Sequence, residues 1–283
     1  MRSEKEMMGL IVGFAQAHED VRAAVMTGSR TNPAAAPDPF QDYDVTYLVR
    51  DVAPYRQNQE VPRYFGELMI LQTPDDMGDE PGTAASYAFL MQFADGNRID
   101  LTFRDPDGAD LVAADSLSVV LVDKDRQFAL PPPTLRSYLP RAPAARQFAD
   151  CCNEFWWLNP YVAKGLYRDQ IPYAKGVLDG PMREQLTAML AWHVGLKTNF
   201  EVSIGYLGKH LKTHLAGDLW ELVEHTYCDG RREHIWQALF AMDELFRTMA
   251  WPLAAARGFH YPEREDTAVS AFIRRIRDAA SAA

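Results

Sequence analysis

The sequence predicts an α+β protein, with a sheet-bearing domain over residues 1–135 and a helical bundle domain over residues 136–283. Three observations predict it. Short runs rich in Val, Tyr, Phe and Thr, several with two-residue alternation, recur between residues 21 and 123. The stretch "LPPPTLRSYLPRAP" (130–143) then carries too many prolines to continue a sheet or a helix interior. Beyond it, apolar residues recur at helical spacing.

Met7, Leu10, Ile11 and Phe14 fall three or four residues apart, which predicts a helix over 3–17. "VRAAVMT" (21–27) is a short apolar run that ends at Gly28 and reads as a buried strand. "DYDVTYLV" (42–49) alternates, and its Val, Tyr and Thr suit a strand. "GELMILQ" (66–72) is a further strand. "YAFLMQFADGNRIDLTFRD" (87–105) reads as two strands joined at Asp95-Gly96, a strong hairpin signal. "LSVVLVD" (117–123) closes the strand-bearing part. Helices are predicted over 144–168, 181–199, 216–227, 232–257 and 266–281.

The chain has 283 residues, 47% hydrophobic and 24% charged, which is enough to bury a substantial core. No apolar run reaches bilayer-spanning length. Charges are mixed into "MRSEKEMMGLIVGF", so an amphipathic first helix is expected rather than a secretory signal, and with it a cytoplasmic protein. The three cysteines, Cys151, Cys152 and Cys228, form no C-x-x-C and are expected as small buried side chains in a reducing compartment. No H-E-x-x-H, P-loop or G-x-S-x-G pattern occurs. A net charge of -10 opposes nucleic-acid binding and favours cationic substrates. A monomer is the default expectation.

The chemistry is concentrated in acids on strands. Residues two apart on a strand share a face, so Asp42 and Asp44 project together, while Tyr43, Val45, Tyr47 and Val49 face the core. Two adjacent carboxylates repel, and a divalent cation removes the conflict. Mg²⁺ takes one or two carboxylates together with substrate phosphates. Gly28 and Ser29 end the preceding strand, where glycine lets backbone approach a phosphate, Ser29 adds a hydroxyl, and Arg30 brings a positive charge. Asp100 lies mid-strand in "NRIDLTF", either a third acid of the same site or a salt-bridge partner of Arg98 or Arg104.

A strand, Gly-Ser, a strand with D-x-D and a third acid on a later strand resemble the polymerase-β type of nucleotidyltransferase, whose mixed sheet carries such a set. The stretches "MRSEKEMM", "GSRTN", "FQDYDVTY", "DGNRIDLT", "LVDKD", "DCCNEFWW" and "YVAKGL" are similar to the aminoglycoside 6-adenylyltransferases. That resemblance implies transfer of AMP from ATP to the streptomycin 6-hydroxyl with release of pyrophosphate, aided by Mg²⁺. It assigns Asp42, Asp44 and Asp100 to catalysis and metal and Ser29 to the nucleotide, for which the residues themselves also make Gly28 and Arg30 candidates. The loop "PAAAPDP" and the stretch "RDQIPYAKGVLDGP" depart from the family pattern. A different class, an antitoxin-type nucleotidyltransferase that modifies a protein partner, is expected as a lone small domain rather than one joined to a long helical half.

In the helical domain, "NEFWWLNPYVAKGLYRDQ" places Trp157, Tyr161 and Lys164 on neighbouring turns of one helix face. Glu154, Trp157 and Tyr161 are candidates for the aminoglycoside. Lys164 and, in "IGYLGKHLK", Lys209 are candidates for the triphosphate.

Overall fold

The structure, a computed structural model, describes residues 1–78 and 85–282. The chain forms two compact units, Met1–Ser137 and Tyr138–Ala283.

In the first unit, α1 (Glu4–Ala17) opens with a capping box in which Glu6 N–H donates to Ser3 Oγ and Ser3 N–H donates to the Glu6 carboxylate. Its buried residues Met7, Ile11 and Phe14 recur at helical spacing. Phe14 stacks on Tyr47 at 5.4 Å, and the Tyr47 hydroxyl donates to Ile11 O at 2.7 Å, which fixes the helix on the sheet. The sheet comprises β1 (Val21–Thr27), β2 (Tyr43–Val49), β3 (Leu68–Gln72), β4 (Ser86–Phe93), β5 (Arg98–Arg104) and β6 (Val119–Asp123), in the order β3-β4-β5-β2-β1-β6. It is a mixed sheet: β2 and β5 run parallel, and the other neighbours are antiparallel.

Alternation explains the layering. Tyr87, Phe89, Met91 and Phe93 of β4 are buried on one face with Ile99, Leu101 and Phe103 of β5. The intervening residues are half-buried. β1 reads as continuously apolar because it packs on both sides: Ala23 and Val25 join a second small cluster with Leu48 and Val112. β3 is an edge strand, and its Met69 and Ile70 are exposed. The β4–β5 connection turns at Asp95-Gly96, with Gly96 at φ 91°. Arg2 Nε donates to Asp95 there at 2.8 Å, which ties the N-terminus to the hairpin.

Short helices add to the predicted elements. They are α2 (Glu60–Phe65) and α3 (Ala109–Ala114) in the first unit, and α5 (Ile171–Val177) and α7 (Leu211–His214) in the second. Helices this short are marginal on propensity alone. They form here by burying Val61 and Phe65, Val112, Ala174 and Leu211.

The remaining helices of the second unit are α4 (Ala145–Tyr167), α6 (Arg183–Lys197), α8 (Gly217–His225), α9 (Arg232–Arg257) and α10 (Glu263–Ala282). Phe155 stacks on Phe246 at 3.8 Å, and Trp156 packs edge-on beside them in a core of aliphatic and sulfur-bearing side chains. Cys151 and Cys152 are buried there, and burial pushes the Cys151 thiol up to about 12. Cys228, expected to be buried as well, is only half-buried, because it lies in the connection between α8 and α9.

Candidate active site

The parallel pairing of β2 and β5 sets Asp44 directly opposite Asp100, and Thr27 of β1 faces Asp44 from the other side. Asp42 immediately precedes β2 and shares the Asp44 face. On the other face Tyr43, Val45, Ile99 and Leu101 are buried. A one-residue slip would drive the acids into that core, so the hydrophobic pattern itself fixes the register that brings two distant acids together.

The cluster is electrostatically loaded. Burial and then the neighbouring charges of Asp100 and Asp42 push Asp44 up to about 6. Burial raises Asp42 as well, with Arg98 drawing it back and Asp100 adding to the rise. Arg98 forks onto Asp100: its Nε and Nη2 donate to Oδ1 and Oδ2 at 2.7 Å each, and Nε lies 3.6 Å from Asp42 Oδ2. The same carboxylate holds the Arg98 guanidinium above its ordinary range. Asp100 is therefore both a member of the acid cluster and the salt-bridge partner of Arg98.

β1 ends at Thr27, and the φ of 78° at the next residue, Gly28, lies in the left-handed region. A Cβ at this position would stand 2.0 Å from Asp44 Oδ2. Glycine is required twice over, by the turn and by the closeness of the carboxylate. Ser29 follows in a single 3₁₀ turn, and its carbonyl accepts from Gln41 Nε2 at 3.3 Å. The Arg30 guanidinium lies 3.7 Å from the Tyr43 ring centroid and donates to Gln41 O at 2.7 Å. Arg30 thus braces the loop between β1 and β2, while its charge still favours ionised Asp42.

Among the described residues, no group of three or more His, Cys, Asp or Glu side chains stands placed to hold a metal ion, and Arg98 lies within the acid cluster. His210 and His214 do have i, i+4 spacing, but they gain no third ligand among those residues. The chemistry of the acid cluster nonetheless fits a hard divalent cation. Its donors are all carboxylate oxygens, burial together with the neighbouring acids Asp100 and Asp42 holds Asp44 up, and Gly28 keeps the space beside Asp44 clear.

In the second unit, α4 presents Glu154, Trp157, Tyr161 and Lys164 along one face. Trp157 is 62% exposed although its neighbour Trp156 is in the core. Trp157 Nε1 donates to Tyr161 Oη at 3.1 Å, their rings meet edge to face, and Lys164 Nζ lies 5.4 Å from the Tyr161 ring centroid. Glu154 is exposed one turn earlier. Lys209 is exposed in the connection between α6 and α7, and among the described residues no hydrogen bond or ion pair ties it to this stripe. Thr27 and Gln41 are neighbours of the acids that sequence reasoning does not reveal. Arg98 is foreshadowed only by its two-residue spacing from Asp100.

A mixed sheet that gathers two strand-borne aspartates, Asp44 and Asp100, and a third just before β2, Asp42, beside a Gly-Ser turn, followed by a helical unit, defines a nucleotidyltransferase. Residues 1–276 match the family described as streptomycin adenylyltransferase, and the chain belongs to that family. It is 36% identical to the aminoglycoside 6-adenylyltransferase of Bacillus subtilis (strain 168), over 94% of this chain and 95% of that protein. It is also 36% identical to the enzyme of the same name from Campylobacter jejuni, over 93% of this chain and 92% of the other. A crystal structure of the B. subtilis aminoglycoside 6-adenyltransferase aligns with 98% of this chain and 99% of its own, at 32% identity and a TM-score of 0.49.

Proposed function

We propose that the protein transfers the adenylyl group of ATP to a hydroxyl of an aminoglycoside, the 6-hydroxyl of streptomycin foremost, and releases pyrophosphate. The observation that carries this reading is the placement of Asp44 opposite Asp100, with Asp42 on the same face and the Gly28-Ser29 turn against Asp44. The relatives' names supply the substrate class.

In the proposed step the drug hydroxyl oxygen forms a bond to the α-phosphorus. The bond from that phosphorus to the bridging oxygen of pyrophosphate breaks, and the hydroxyl proton passes to a carboxylate, either Asp100 or a glutamate of the helical unit. A Mg²⁺ held by Asp42, Asp44 and Asp100 would neutralise phosphate charge and ease the loss of the alcohol proton. Gly28 and Ser29 offer backbone and hydroxyl groups to the phosphates, and Arg30 fixes the loop that presents them. Lys164 and Lys209 are assigned to the triphosphate charge. Trp157 and Tyr161 offer flat apolar surface to the sugar rings, and Glu154 offers a carboxylate to an ammonium or guanidinium. The net charge of -10 supports attraction of a cationic drug.

The test is incubation of the protein with ATP, Mg²⁺ and a panel of aminoglycosides, followed by mass measurement of each drug. The expected result is one added AMP on streptomycin. Unmodified drugs across the panel would refute the reading.

A further inference from the structure

We propose that Arg98 is a built-in competitor for the divalent cation at the carboxylate cluster: its guanidinium must leave Asp100 and Asp42 before both can ligate an ion. The inference rests on the reading that these acids bind a divalent cation.

The geometry is specific. Both Asp100 oxygens are engaged by one planar fork at 2.7 Å, and the same Nε approaches Asp42 at 3.6 Å. Such two-point pairs are the firmest that arginine makes with a carboxylate. Arg98 and Asp100 project from the same strand face, two residues apart, so the pair forms without distant support. The Arg98 side chain is 39% exposed, which leaves it room to turn outward.

Arg98 supplies a single positive charge to three acids, and its contacts reach Asp100 and Asp42, so it relieves the cluster only in part. A metal ion arriving alone must break the fork and leave the guanidinium without an anion. A metal ion arriving with a triphosphate brings one. Arg98 therefore couples metal entry to nucleotide entry, and metal binding without nucleotide is weak.

The test uses the full chain and Mn²⁺ alone, with free ion followed by electron paramagnetic resonance, and then repeats the titration with a non-hydrolysable ATP analogue. An adjacent cation shifts a carboxylate by about one to three pKa units, and partial exposure favours the lower end, so Arg98→Gln is expected to bind Mn²⁺ alone about tenfold more tightly than wild type. With nucleotide present the advantage should shrink. Arg98→Lys keeps the charge and loses the fork, and its affinity should fall between the two. This variant keeps the test decisive if Arg98→Gln does not fold.

Equal or weaker Mn²⁺ binding by both variants, with Asp44→Asn still losing the ion, overturns the competitor role and leaves the metal site standing. Wild-type Mn²⁺ affinity in Asp42→Asn and Asp44→Asn overturns the metal reading itself, and the competitor role with it.

Discussion

Replacing Gly28 with alanine tests the join between backbone and chemistry. Two penalties follow from the structure. At φ 78° any residue with a Cβ is strained, by about 1–2 kcal/mol. The new methyl would also lie 2.0 Å from Asp44 Oδ2 and 2.9 Å from its Cγ. Asp44 is a short side chain on a central strand, so its carboxylate has to swing away by about 1 Å or more to restore ordinary contact. Displacement of a reacting or ligating group on that scale costs about 100-fold in rate. Gly28→Ala is therefore expected to lower stability by about 1–2 kcal/mol in urea unfolding, and to reduce kcat, measured by pyrophosphate release, by about 100-fold or more. Gly9→Ala is the control, because its added Cβ meets nothing within 4 Å on an exposed helical surface. That change should raise stability by up to about 1 kcal/mol and leave turnover alone. A Gly28→Ala enzyme with kcat within about twofold of wild type would refute the reasoning, since a misplaced Asp44 is expected to cost about 100-fold.

Two further outcomes are expected. Trp157→Ala should raise the KM for the aminoglycoside with little loss of stability, whereas Trp156→Ala, in the core, should destabilise the fold by about 3–5 kcal/mol; steady-state kinetics and urea melts separate the two. Burial pushes Asp243 on α9 up to about 8, so the folded chain holds a proton that the unfolded chain has released above its ordinary carboxylate pKa of about 4. This contribution to stability is present in full below pH ~4 and is lost as pH rises from there through about 8. Urea unfolding at pH 5 and pH 8 should show a fall in wild-type stability that Asp243→Asn lacks, and parallel behaviour of the two proteins would remove Asp243 as the cause.

Much of the first unit is legible in the sequence because its strands obey simple alternation. Tyr43, Val45 and Tyr47 mark a core face and, by subtraction, the acid face. What cannot be read is the parallel pairing of β2 with β5, since Asp44 and Asp100 are brought together by a crossover of intervening chain. The Arg2–Asp95 pair is hidden for the same reason. The edge strand β3 illustrates the converse: "LMILQ" has the composition of a buried strand, yet Met69 and Ile70 are exposed, because burial depends on neighbours that composition does not name. The short helices α2, α3, α5 and α7 escape notice because packing, not propensity, makes them. On α4 the spacing alone gives the shared face of Trp157, Tyr161 and Lys164. Which of two adjacent tryptophans is core and which is exposed emerges only in the folded helix.

The most direct test of the carboxylate site is Asp44→Asn, with turnover measured by pyrophosphate release from ATP, Mg²⁺ and streptomycin, and melting measured in parallel without added metal. Asp44 carries a charge that burial and two neighbouring acids disfavour, so the neutral amide should leave the fold as stable or more so. Turnover should fall by about 1,000-fold or more, the scale of losing a group on which transition-state charge depends. Near wild-type turnover with an unchanged melting temperature would contradict the assignment of Asp42, Asp44 and Asp100 as the catalytic centre.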